Sequence, residues 1–323
     1  METLISTTDF PLAKRYLEAG EVVAFHTETV YGLGANAFSD AAVQKIFALK
    51  GRPSDNPLIV HVHKDYDISK LIDKEPTYAK ALRAAFLPGP LTMVYPSTGK
   101  VSEFVSCGLN TLAIRVPSSK TAQALLRETN LPIAAPSANL SKHVSPVTAG
   151  HVYDDFCGKI PLILDGGDCL GGIESTVLDC TGELPRILRE GLVTREMIAS
   201  VAGACEVYQM AEGEKPKSPG MAYKHYSPRC RTAFCTSVEE AVRLYRKEQG
   251  VACILCESQT AEKLKDYRVL DLGDTGEEMA HRLYALLREG EQRADLLIAI
   301  QPTRTGGVMA GVLNRLYRAF GIE

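Results

Sequence analysis

The sequence contains no apolar run near the roughly 18 to 20 residues that span a bilayer, so no transmembrane helix is expected. The opening METLISTTDFPLAKRYLEAG lacks a basic segment followed by an apolar core, and no secretory signal is expected there. Charge of one sign is also missing. With 36 Lys and Arg against 39 Asp and Glu, the net charge is −3. That excludes a broadly basic, nucleic-acid-coating surface, and no stable nucleic-acid binding is predicted. Nor is there a disulfide framework. The nine cysteines are odd in number and scattered, which suits reduced thiols and a cytoplasmic location. Only Cys253 and Cys256 form a CxxC, inside the apolar run VACILC. Residues three apart on a strand face opposite sides and cannot clamp one ion, so no metal site is expected.

Several catalytic signatures are absent as well. No P-loop GxxxxGK[ST], GxGxxG, GxSxG elbow, HExxH helix or HRD/DFG pair occurs. The chemistry is therefore expected to work by positioning and charge stabilisation rather than through a covalent intermediate.

What is present is an ordinary globular composition, 45% hydrophobic and 23% charged, which excludes a disordered chain. At about 150 residues per domain, 323 residues predict two domains. Residues 1–205 read as one α/β unit. Strand-like runs fall at 21–25, 57–62, 90–95, 111–116, 131–135, 160–164 and 175–179. Ser39 is placed to cap a helix through DAAVQKIFALK, with Gly51 just past its end. Further helices are predicted over 121–130, after Thr148 and after Thr194. Residues 206–229, rich in proline and glycine without an apolar period, read as a linker. Its end, MAYKHYSPR, gathers Tyr223, His225 and Tyr226, aromatic side chains suited to docking. Residues 230–323 alternate strands and helices regularly, with Ser237 and Glu240 as a capping box. That pattern predicts a small, parallel, Rossmann-like sheet without a dinucleotide site.

Polar residues concentrate in the first unit. In HTETVYGLGANAF, Thr27, Glu28, Thr29 and Tyr31 follow a buried-strand pattern, and Gly32 and Gly34 permit close backbone approach. The run reads either as a ligand loop at a strand end or as a self-bonded glycine turn. In LKGRPSDNPLIVHVH, Lys50 sits where a cation complements the helix dipole. Arg52, outside the helix and near Asn56, suits a polyanion such as a nucleotide phosphate. Arg115 lies in the apolar strand NTLAIRV, sharing a face with Thr111. Burying it is costly unless an anion pairs with it, either a protein carboxylate or a substrate carboxylate. Ser137, Asn139, Ser141 and Ser145 lie on a proline-broken loop able to cradle phosphate or ribose oxygens. Downstream come GGIESTVLD, with Ser175 and Thr176, and Arg189 in PRILREG.

TETVYGLG, KGRPSDNPL, the Lys50/Arg52 pair with the Ser137/Asn139 pair, and GGIESTVLD recur in this order in YrdC-like domains. The whole chain resembles the two-domain L-threonylcarbamoyladenylate synthases. That resemblance implies a twisted mixed α/β sheet with a large concave cavity in the first domain. It also implies a reaction of L-threonine, bicarbonate or CO2 and ATP, with Mg2+ on the triphosphate. The products would be L-threonylcarbamoyl-AMP and pyrophosphate, the former passed to the tRNA threonylcarbamoyl-transferase machinery. By the same resemblance Thr29, His61, Arg115, Ala135 and Ser175 would hold threonine, Ala135 through its backbone. Arg52, Asn56, Thr111, Ser137, Asn139, Ser145 and Arg189 would hold ATP. Lys50 and Arg52 would be the catalytic cations, facing the Ser137–Asn139 turn across a hollow. Tyr223, His225 and Tyr226 would form a lid. Two residues depart from the pattern: His26 stands where many relatives have proline, and Ala135 where some have threonine.

Overall fold

The computed structural model describes residues 2–208 and 226–322. The chain divides into two compact units, Met1–Ser141 with Pro146–Ala222, and Lys142–Ser145 with Tyr223–Glu323. The first begins with β1 (Leu4–Ser6), α1 (Phe10–Glu18), β2 (Val23–Phe25), β3 (Gly32–Asn36), α2 (Asp40–Lys50) and β4 (Ile59–His61). It continues with α3 (Thr77–Phe86), β5 (Leu91–Pro96), α4 (Glu103–Ser106), β6 (Thr111–Arg115), α5 (Lys120–Thr129) and β7 (Ile133–Ala134). Next come α6 (Ala149–Phe156), β8 (Leu162–Leu164), β9 (Thr176–Asp179), β10 (Arg186–Arg189), α7 (Arg195–Ala202) and β11 (Glu206–Val207). The strands form one mixed sheet in the order β1-β8-β2-β3-β7-β4-β6-β5-β9-β10-β11.

Local chemistry accounts for the helix ends. Ser39 accepts from the Ala42 N–H at the start of α2, and Gly51 closes the helix in the left-handed conformation at φ 60°. Ser119, Thr148 and Thr194 cap α5, α6 and α7 in the same way. One core packs Ala13 and Leu17 of α1 and Leu125 and Leu126 of α5 against Val23, Phe25, Ile133, Leu162 and Leu164 of the sheet. Fully burying each leucine or phenylalanine contributes about 1.5–3 kcal/mol.

The glycine-rich run is where the sequence reading and the structure part. Gly32–Asn36 is a strand, antiparallel to both β2 and β7. A Cβ on Gly34 would stand 2.8 Å from both Ile133 Cγ2 and Phe25 Cε1. Those glycines therefore serve packing under the Phe25 ring, and the loop itself ends near Tyr31. Residues 206 and 207, read as the start of a linker, are β11, pairing with β10 at the sheet edge.

The second unit holds β12 (Arg231–Cys235), α8 (Val238–Lys247), β13 (Ala252–Cys256), α9 (Ser258–Lys263), β14 (Val269–Asp271), α10 (Gly276–Arg293), β15 (Leu296–Ile300) and α11 (Val308–Phe320). Its four strands are all parallel, in the order β12-β15-β13-β14. The capping box expected at α8 is only half formed. Ser237 Oγ accepts from the Glu240 N–H, but the Glu240 carboxylate accepts from Thr236 rather than from Ser237. A complete box closes α10 instead, between Thr275 and Glu278. Cys253 and Cys256 are buried in β13, and all nine cysteines are free. Among the described residues no helix is long and apolar enough to cross a membrane.

Candidate active site

Strand register assembles the first part of the site. His61 on β4 pairs with Arg115 on β6, and Arg115 pairs in turn with Thr92 on β5. Each is a polar side chain set in an otherwise apolar strand. Arg115, only 4% exposed, directs its guanidinium at three acceptors. Nη1 donates to Thr29 Oγ1 at 2.8 Å, Nη2 to Glu28 Oε1 at 2.7 Å, and Nε to the Gly89 carbonyl at 3.4 Å. Of the two anions open to it from sequence, the structure supplies the protein carboxylate, Glu28. The other oxygen of Glu28 accepts from the backbone N–H groups of Ser118 and Ser119 at 3.0 and 3.4 Å.

Burial alone would raise the Glu28 carboxyl pKa. The Arg115 charge and hydrogen bonds outweigh it and hold the group below the usual range, so it is ionised. Burial, helped by the neighbouring Arg115 charge, holds the His61 imidazole down at about 3. It is neutral at physiological pH. Thr29 is fully buried, its hydroxyl 2.9 Å from that of Thr27. On the far side of Arg115, Thr92 Oγ1 lies 2.8 Å from Ser175 Oγ. Arg189 clamps the Ser175 carbonyl from Nε and Nη2 at 3.1 and 3.0 Å.

The second part is built on the end of α2. Lys50, 4% exposed, donates from Nζ to the main-chain oxygens of Ser137 at 2.5 Å and Asn139 at 2.6 Å. The Ser137 hydroxyl donates to Asn139 Oδ1 at 2.6 Å, and the Ser141 N–H donates to the Lys50 carbonyl at 2.9 Å. Lys50 thus touches the Ser137–Asn139 turn directly instead of facing it across a hollow. Desolvation, reinforced by the Arg52 charge, pushes its pKa well below the ordinary lysine value. Its chemistry is that of a buried clamp on backbone carbonyls. Arg52 lies half-buried just beyond Gly51, donating from Nη2 to the Asn56 carbonyl at 2.6 Å and lying over the Phe47 ring. Asn56 is 1% exposed, and neither its Oδ1 nor its Nδ2 has a hydrogen-bond partner among the described residues. A fully buried, unpaired amide is costly.

Ala135 is buried beside Gly32, and its N–H donates to the Ile59 carbonyl, a sheet bond at 2.9 Å. Thr111 lies half-buried at the opposite end of β6 from Arg115, paired with Pro96. Ser145 is buried in the segment 142–145 that groups with the second unit. Tyr226 belongs to that unit too, stacked on Tyr284 at 5.3 Å between ring centroids. Tyr223 and His225 lie outside the described residues. His26, the departure noted in the sequence, lies 2.7 Å through Nδ1 from Ser119 Oγ. It packs where a Cβ on Gly166 would come within 2.6 Å.

Residues 15–191 match the family described as Telomere recombination, and residues 193–321 match the threonylcarbamoyl-AMP synthase C-terminal domain. A Bacillus subtilis threonylcarbamoyl-AMP synthase is 43% identical, covering 98% of this chain and 95% of its own. The chain belongs to the threonylcarbamoyl-AMP synthase family. A Pyrococcus abyssi synthase is 39% identical over 96% of this chain and 93% of its own. The crystal structure of P. abyssi Sua5 complexed with L-threonine superposes with a TM-score of 0.90 at 35% identity, covering 99% of this chain and 97% of that one. Escherichia coli YciO, at 22% identity and a TM-score of 0.52, shares the fold over 59% of this chain. Both sheets expected from sequence are thus those of this synthase family.

Sequence reasoning named Glu28 without assigning it to the site, and it omitted Thr92. A lone hydroxyl in the apolar run PLTMVY was the available signal for Thr92. Nothing local marked Glu28 as the partner of Arg115, because the two are 87 residues apart.

Proposed function

We propose that this synthase joins L-threonine, CO2 from bicarbonate and ATP into L-threonylcarbamoyl-AMP, releasing pyrophosphate. The observation that carries this reading is the end-to-end match, in both units, to curated threonylcarbamoyl-AMP synthases.

In the reading, threonine lies by Thr29, His61, Arg115, Ser175 and the backbone at Ala135. Its free amine captures CO2, forming a C–N bond and releasing one proton to give the carbamate. A carbamate oxygen then attacks the α-phosphorus of ATP, and the bond to the β-phosphate bridging oxygen breaks as pyrophosphate leaves. Such transfers depend on positioning and on cations that absorb developing charge. Arg52 fills that role, beside the unpaired Asn56 amide. Lys50 holds the Ser137–Asn139 turn in shape for the triphosphate, and Thr111, Ser145 and Arg189 complete the nucleotide set. Mg2+ enters as part of the MgATP substrate. Carbamates and their mixed anhydrides hydrolyse readily, so excluding water from the site would protect the product.

Nine free thiols fit a reducing compartment, and the reaction is assigned to the cytoplasm. The product would pass to the tRNA threonylcarbamoyl-transferase machinery without stable tRNA binding by this chain. The test is pyrophosphate release from ATP. It should require both threonine and bicarbonate, and release that ignores threonine would refute the assignment.

A further inference from the structure

We propose that helix α10 is the positioning element of the nucleotide loop, with Arg288 fixing the main chain beside Ser145 so that ATP meets its binding groups already in place. This rests on the nucleotide reading of Ser137, Asn139 and Ser145 above. It adds to that reading a positioning residue from the second unit, one that acts through the loop.

The segment Lys142–Ser145 lies in the middle of the first unit's sequence yet groups with the second. Its main chain is irregular, so its polar groups need partners from outside any helix or sheet ladder. Two of those partners come from the second unit. Arg288 Nη2 donates to the Val144 carbonyl at 2.7 Å, across 144 residues of sequence. The Ser227 N–H donates to the Lys142 carbonyl at 2.9 Å. Arg288 is only 3% exposed. A buried guanidinium is costly without acceptors, and packing alone would be served by an aliphatic side chain. Its fork of donors suits the grasp of main-chain oxygens. The Val144 carbonyl belongs to the planar peptide unit that opens Ser145, so holding that oxygen also fixes where Ser145 begins.

Arg288 does not act alone on α10. Tyr284, Arg288 and Glu291 stand at i, i+4 and i+7, on one face of the helix. Tyr284 stacks on Tyr226, Arg288 holds Val144, and a Glu291 carboxylate oxygen accepts from the Arg229 N–H at 2.8 Å. One face thus grips both 142–145 and 226–229, which the bond from Ser227 to Lys142 ties together. Backbone conformation records the constraint. Tyr226 and Lys142 have φ of 64° and 71°, in the left-handed region that favours glycine. Bulky residues persist there only where their surroundings hold them. The preceding stretch of the same loop is held by Lys50, which binds the carbonyls of Ser137 and Asn139 and accepts from the Ser141 N–H. Two basic side chains, Lys50 and Arg288, therefore fix successive stretches of one loop.

The experiment compares the full chain with Arg288→Met and Arg288→Lys in steady-state pyrophosphate release, varying ATP and threonine separately. Arg288→Met keeps most of the length and loses the donors. Its KM for ATP should rise by about tenfold, in keeping with loss of a hydrogen bond from a charged donor. KM for threonine should stay within about twofold, and kcat at saturating ATP should be retained. Arg288→Lys keeps a donor and should restore most of the ATP affinity. Hydrogen exchange gives a second readout that needs no activity, since amides across residues 226–229 should exchange faster in Arg288→Met than in the intact protein. An unchanged KM for ATP, or unchanged exchange there, overturns the proposal. Equal weakening of ATP and threonine overturns it too, leaving Arg288 a support for the fold. Should Arg288→Met not fold, Arg288→Gln takes its place with the same expected split, its amide donating from a shorter side chain. An intact protein whose pyrophosphate release ignores threonine would instead remove the functional reading beneath it.

Discussion

The amine of Lys50 donates to the main-chain oxygen of Asn139 at 2.6 Å, tying the last residue of α2 to a turn in a distant part of the chain. The same amine holds the Ser137 carbonyl. A residue that sequence marks as a candidate phosphate cation is, in the folded chain, the fastener of the loop that would carry the triphosphate.

Lys50→Met keeps most of the side chain's length and removes the donor. One buried and one half-buried carbonyl lose their partner, at about 1–3 kcal/mol for the buried one. The melting temperature should fall by several degrees, and KM for ATP should rise several-fold more than KM for threonine. A variant with unchanged stability would show that the clamp does not hold the turn.

Much of this local architecture is legible in the sequence, because caps and breakers act over a few residues. Ser39 and Gly51 bracket α2 where the spacing predicts it, and the apolar runs give the principal strands. Other elements carry no such mark. Helix α3 starts at Pro76 with no side-chain cap, and β3 is written in glycines that read as a turn until Phe25 is seen packing over them. The site divides similarly. A charge in the strand at Arg115 signals that an anion is needed, but which anion depends on long-range folding. The Lys50 contacts go to backbone oxygens, which have no residue type to announce them.

Replacing Asn56 should separate stability from function. Leucine has the same branched outline without the unpaired amide. Asn56→Leu is expected to stabilise the fold by about 1–3 kcal/mol in urea denaturation. ATP binding should weaken by about tenfold or more, as befits loss of a buried polar contact. Weaker stability with intact ATP affinity would mean the amide is satisfied in the folded protein after all.

His61 predicts a pH dependence whose sign follows from its depressed pKa. In the folded chain the imidazole titrates at about 3 rather than near 6.5. Between those values the unfolded chain binds more protons, so stability falls as pH drops from 6.5 toward 3. The slope from this one group is at most about 1.4 kcal/mol per pH unit. Glu28, also held below its usual range, adds loss in the same direction near its own titration. The difference between the protein and His61→Asn isolates the histidine. Urea melts at pH 7 and pH 5 should show a smaller acid loss in the variant, and identical losses would contradict the buried neutral imidazole.

Arg115→Ala strips Glu28 of its counter-charge and removes the donors offered to a ligand carboxylate. Leaving one member of a buried pair unpaired costs about 3–5 kcal/mol. In the protein that remains folded, threonine affinity should fall by about 100-fold or more, while ATP affinity changes little. Calorimetry with each substrate separately makes the comparison. Equal weakening of both substrates would dissociate Arg115 from threonine recognition.

The most direct measurement of the central claim follows the bicarbonate carbon. The protein is incubated with threonine, MgATP and carbon-13 bicarbonate, and the quenched mixture is analysed by mass spectrometry. An adduct of AMP and threonine bearing a single carbon-13, formed with one pyrophosphate per molecule, is the expected product. ATP turnover that yields only unlabelled AMP or ADP, or a threonyl adenylate without the heavy carbon, would contradict the account.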